Sequence, residues 1–154
     1  MTARRSPFRF VLPVLVAVSL CGVAAADKGV EVTTASAPAG TDARLKQALS
    51  DSIRVHANRA GLTDKLRGYS ISPSLVQLRA FVDPGQKRPR TVCIVELGLN
   101  DASRGLVASI RGNASSVGAT PMAIVDAAAH AAVQRLPETL SALQGPERAR
   151  VAAR

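Results

Sequence analysis

"VCIVELGLNDASRGLVASIRG", residues 92–112, is the stretch that decides the fold. Cys93, Val95, Leu97 and Leu99 are apolar at every second position, and Leu106, Ala108 and Ile110 resume the pattern beyond "NDASRG". A period of two places alternate side chains on one face of a strand, so the stretch predicts two half-buried strands. The link is short enough for an antiparallel hairpin. Ile94, Glu96, Val107, Ser109 and Arg111 are then left for the opposite face.

Upstream, "LVQLRAFV" (75–82) reads the same way, with Val76, Leu78, Ala80 and Val82 turned to the core and Gln77, Arg79 and Phe81 turned away. "DPGQKRPR" joins it to the next strand, and Pro84 and Gly85 suit a turn. Three strands with short links predict a meander whose middle strand carries Glu96 between Arg79 and Arg111. Helices flank it. Leu45, Ala48, Leu49, Ile53, Ala57 and Ala60 recur at helical spacing behind an N-cap at Thr41, and Gly61 closes the segment. Thr120 and Pro121 open a second helix with Val125, Ala128, Ala129, Ala132, Val133, Leu136, Leu140 and Leu143 on one side, which Pro137 should kink or restart.

The reading is an α+β two-layer domain over residues 41–144, ordered helix–strand–strand–strand–helix, with both helices on one face of an antiparallel three-stranded meander. Residues 27–40, "DKGVEVTTASAPAG", have no periodicity and read as a flexible lead-in; residues 145–154 read as a frayed tail. In element order, and in the strand–turn–strand quoted above, residues 41–143 resemble small periplasmic domains. Those are domains of the curli-secretion channel subunit, the outer-membrane activators of penicillin-binding proteins and the TolB N-terminal domain. The resemblance implies a layered fold; a likeness of fold does not carry an activity.

The chain's start predicts export. Arg4, Arg5 and Arg9 precede an apolar run from Val11 to Val18, and Ala24 and Ala26 give the small-x-small spacing of a signal-peptidase site. Cleavage after Ala26 releases a periplasmic or extracellular chain of 128 residues out of 154. The alternative is a lipid anchor on Cys21, against which stands the bulky Leu20 just before it. Removing residues 1–26 takes three of twenty basic residues and none of eleven acids, which leaves a formal charge of +6. Accessible polyanions outside the cytoplasm are membrane surfaces and envelope polymers. Cys93 is then the one remaining cysteine, so no intramolecular disulfide forms, and its apolar neighbours predict a buried, inert thiol.

Chemistry is sparse. The sequence has no G-x-S-x-G elbow, P-loop, H-E-x-x-H or paired cysteines at metal-ligand spacing, so no catalytic residue, metal or cofactor is assigned. Asp126 and His130 lie four apart on the second helix without an evident third ligand, and His56 is expected at the edge of the core. With only Tyr69 and Phe81 as aromatic residues after processing, nucleic acid and sugars lack their usual stacking platform. Two binding surfaces are expected. The first is the open sheet face, with Arg79, Phe81, Ile94, Glu96, Val107 and Arg111, fit for an envelope protein or a second copy. The second is the basic hairpin, where Lys87, Arg88 and Arg90 could contact an anionic envelope polymer or membrane surface. The favoured function is a non-catalytic envelope interaction module; the alternatives are a basic binder of an anionic envelope component and, third, an uncharacterised enzyme.

Overall fold

The computed structural model describes residues 29–85 and 87–152, with side chains through Gln144. Residues 1–26, with the expected cleavage at Ala26 and the alternative anchor at Cys21, lie outside the described residues. The elements are β1 (Glu31–Val32), α1 (Ala43–Arg59), β2 (Tyr69–Phe81), β3 (Arg90–Asp101), β4 (Gly105–Val117), α2 (Pro121–Val133) and α3 (Leu136–Ala152). The architecture is α+β, with helices packed on one face of a sheet ordered β1-β2-β3-β4. The last three strands form the antiparallel meander.

The sheet has four strands and is mixed. β1 pairs with β2 in parallel, and Ser36 adds an isolated bridge to Ser74. The stretch expected as a flexible lead-in is therefore docked from Val30 onward, with Val30 and Ala35 buried. Its hold is mostly hydrogen bonding, which leaves no periodic signature: Thr33 N donates to Ile71 O at 2.9 Å, Ser36 N to Pro73 O at 2.9 Å, and Leu75 N to Ser36 O at 2.8 Å. Between these, a parallel ladder would have the residue at 73 donate to Thr33 O. Pro73 has no N–H to give. Ser50 of α1 fills the gap, its hydroxyl donating to Thr33 O at 3.2 Å and accepting from Ala35 N at 3.0 Å.

Two β-bulges correct the strand phases. One sits between Leu75 and Gln77 and leaves Val76 exposed, so the first half of β2 buries Ile71, Pro73 and Leu75 while the second half turns Leu78 inward. An added residue shifts the alternation by one, which a strict period of two cannot anticipate. Val82, expected in the core, lies beyond the end of β2 and is exposed. The other bulge, at Leu99/Asn100, pairs Asn100 with Leu106 and Leu99 with Ala108. Leu106 thereby moves to the open face and Val107 packs against the core, the reverse of the expected assignment.

β3 keeps its predicted phase throughout, burying Cys93, Val95, Leu97 and Leu99. At about 1.5–3 kcal/mol for each large apolar side chain, this row and its helical partners Leu49, Ile53, Val125 and Val133 supply much of the driving force. α2 lies on β3 and β4. Its approach depends on small residues: a Cβ on Gly112 would stand 2.2 Å from Ala128 O and 2.7 Å from Ala132 Cβ.

Helix ends follow capping chemistry with one change. Asp42 rather than Thr41 caps α1, its carboxylate accepting from Arg44 N at 2.8 Å, while the Thr41 hydroxyl donates to Pro38 O. Both residue types cap well, and here the chain turns one residue later. Thr120 caps α2 as expected, with Pro121 in its first turn. Gln134 and Arg135 form a turn, and Pro137 falls in the first turn of α3, where a missing N–H costs nothing. Leu136 and Leu140 anchor α3 in the core. Its backbone is helical to Ala152, across Gly145 and Pro146, two residues of low helix propensity.

Candidate functional site

The face of the sheet opposite the helices is assembled from residues whose side chains alternate away from the core. Register sets its rows across β2, β3 and β4: Ser72, Gly98 and Ser109; Ser74, Glu96 and Arg111; Gln77, Ile94 and Asn113; Arg79, Val92 and Ser115; Phe81, Arg90 and Val117. Seryl, amide and charged groups dominate one end, and apolar side chains gather toward the β2–β3 hairpin.

Its centre is an ordered ion pair. Glu96 accepts from Ser109 Oγ at 2.7 Å and from Arg111 Nε at 2.9 Å. The Ser109 hydroxyl first, then Arg111, lower the Glu96 carboxyl below its ordinary value. Arg79 does not join this pair. The hairpin register puts Phe81 opposite Arg90, and counting back along β2 sets Arg79 opposite Val92 and Ser74 beside Glu96. Ile94 lies one row from Glu96, as expected, whereas Phe81 is three rows away at the end of the sheet. Leu106 was missed. Its side chain takes the place assigned to Val107 on this face, reaching to 3.0 Å from where a Cβ on Gly98 would stand. A shallow depression of about 260 Å³ lies beside it, lined by Thr34, Ser36, Ser72, Ser74, Glu96 and Ser109.

In the basic hairpin, Lys87 and Arg88 are exposed, but Arg90 is ion-paired to Asp83 at 2.8 Å.

A second cluster joins α1 to α2. Asp126 Oδ1 accepts from Ser52 Oγ at 2.5 Å and lies 3.0 Å from His56 Nε2. The His56 and His130 rings stack with centroids 4.7 Å apart, and His130 Nε2 lies 3.2 Å from Gln134 Nε2. The partner that Asp126 lacked in sequence is His56, seventy positions away and so outside any local motif. The Ser52 hydroxyl, more than His56, lowers the Asp126 carboxyl. That hydroxyl donates to a carboxylate of lowered pKa, a weaker base than an imidazole. Among the described residues, no group of three or more His, Cys, Asp and Glu is disposed to hold a metal ion. The cluster's visible work is to tie two helices together.

No family model matches the chain, and no curated protein matches it by sequence. Solved structures with a similar chain path include a PelC dodecamer from Paraburkholderia phytofirmans, with 13% identity, a TM-score of 0.46, and coverage of 67% of this chain and 85% of that one. A Xanthomonas campestris protein of the DUF330 family model has 15% identity and a TM-score of 0.44, covering 79% and 88% of the two chains. A candidate lipoprotein from Caulobacter crescentus has 16% identity and a TM-score of 0.45, covering 78% and 93%. At these values the likeness is one of general chain path.

Proposed function

We propose that the chain is an exported, non-catalytic module of the cell envelope that binds a protein partner or a second copy of itself through the open face of its sheet. The observation that carries this reading is the placement of the helices. They cover one face, and the other presents Ile94 and Leu106 beside the Glu96–Arg111 pair with nothing packed over them among the described residues. Apolar groups beside a charged, hydrogen-bonded centre are the composition of a protein contact. Arg79 and Phe81 extend that surface toward the hairpin.

The test is Ile94→Ser together with Glu96→Arg, neither of which touches the core row of β3. Circular dichroism should stay native, while recovery of the tagged protein in complexes from its own envelope, measured by sedimentation and pull-down, should fall at least tenfold. A mainly apolar contact also persists at high salt, where attachment by charge alone is screened. Unchanged assemblies in the folded double variant would remove the open face from consideration.

A further inference from the structure

We propose that the β2–β3 hairpin end is a docking tip for an anionic phospholipid surface. Three of the exposed large apolar residues meet here: Val82 is 64% exposed, Phe81 46% and Val117 43%. Phe81 and Val117 flank Arg90 in one cross-strand row, and Val82 follows Phe81 directly. Around them stand exposed cations. Residues 79–90 contain Arg79, Lys87, Arg88 and Arg90 against the single acid Asp83, and that acid is held by Arg90. Among the described residues, Arg79, Lys87 and Arg88 have no acidic partner. Arg88 is brought to the end of β4, its Cδ 3.4 Å from where a Cβ on Gly118 would stand, and Gly118 N donates to Pro89 O at 3.0 Å.

The combination selects the partner. A soluble polyanion is recognised by charge, and the three bare apolar side chains would contribute nothing to it. A bilayer interface takes both, because apolar side chains enter the headgroup boundary while Lys and Arg meet the lipid phosphates. The tip also lies at the far end of β2 and β3 from Tyr69 and Asp101, beside which β1 runs. Docking through this end leaves the Glu96–Arg111 centre free.

Vesicle flotation of the processed protein tests this, with phosphatidylcholine alone and with phosphatidylcholine containing roughly 30% phosphatidylglycerol. The protein should float with the anionic vesicles at low salt and stay behind with the neutral ones. Lys87→Gln with Arg88→Gln should weaken flotation roughly twenty-five-fold, since each basic residue near such a surface is worth about fivefold. Phe81→Ser with Val82→Ser, which leaves the charge intact, should weaken it about tenfold. Soluble polyphosphate is the competing probe. Failure of the wild type to float overturns the proposal. So does undiminished flotation of the Phe81/Val82 variant, which would make the tip a contact for polyanions in general. The Lys87/Arg88 variant touches neither the core nor the ion-pair centre, so its result stands apart from that of the open-face reading.

Discussion

Two glycines on adjacent strands show how differently the two faces of this sheet are built. Gly112 of β4 lies under α2, where a Cβ would strike the backbone of Ala128 and Ala132. Gly98 of β3 lies on the open face, where a Cβ would meet Ser72 Oγ at 2.6 Å and Leu106 Cδ1 at 3.0 Å, both ends of movable side chains. One glycine is fixed by rigid backbone; the other is overlaid by groups that can rotate away. The helix-covered face is thus specified by packing, and the open face is free to be specified by something else.

The largest effect is expected where the two faces differ most. Gly112→Ala should destabilise by roughly 3 kcal/mol or more in chemical denaturation, because helix and strand must separate to admit the methyl group. Gly98→Ala should cost no more than about 1 kcal/mol, for a disturbed Ser72 hydroxyl. Similar losses at both positions would break the contrast.

Leu97→Ala should cost about 3 kcal/mol, since Leu97 is buried in the central strand and the helix above cannot fully collapse onto the gap. Glu96→Gln, its neighbour on the other face, removes a solvent-screened ion pair and should leave the denaturation midpoint nearly unchanged. Intermediate in size is Ser50→Ala. It strands Thr33 O and Ala35 N at the place where Pro73 leaves a gap in the ladder, and should cost about 1–2 kcal/mol, with hydrogen exchange quickening along residues 30–36.

An effect confined to alkaline pH concerns Cys93, whose thiol is pushed up to about 11 by burial against the core. Between the ordinary value of 9.0 and that figure, the unfolded chain loses a proton that the folded chain keeps, so stability should decline as pH rises through this window. Maleimide should label native protein far more slowly than unfolded protein. Equal labelling rates would mean that the predicted core phase of β3 is wrong.

That phase was legible because β3 is the central strand, is covered along one face and has no bulge of its own alternation: Cys93, Val95, Leu97 and Leu99 declare themselves. β2 was half legible. Nothing in "SPSLVQL" distinguishes a bulged Val76 from a buried one, because the bulge is a relation to β3 and not a property of the segment. Leu106 and Val107 are equally apolar, and the turn geometry decides between them: Asp101 Oδ1 accepts from Ser103 N and Arg104 N, and Gly105 adopts φ 75°. β1 was invisible, since it spans two residues and the segment is held by backbone hydrogen bonds to β2 and a serine hydroxyl from α1, none of which leaves a periodic pattern. Of the open face, the Glu96–Arg111 contact followed from alternation and a central β3, whereas Arg79 was misplaced for want of the register. His56 and Asp126 could be joined only by the packing of α1 on α2.

The claim that the open face is a contact surface is tested most directly by thiol protection in place. Asn113→Cys puts a reactive thiol in the row beside Glu96, and Lys65→Cys puts one on an exposed turn away from the sheet face. Native Cys93 stays silent in both. In intact envelopes the thiol at 113 should label at least tenfold more slowly than in the purified, diluted protein, while the thiol at 65 labels alike in both. Equal labelling at 113 in envelope and in dilute solution would contradict the account, because a face that does not become covered in its own compartment is not an interface.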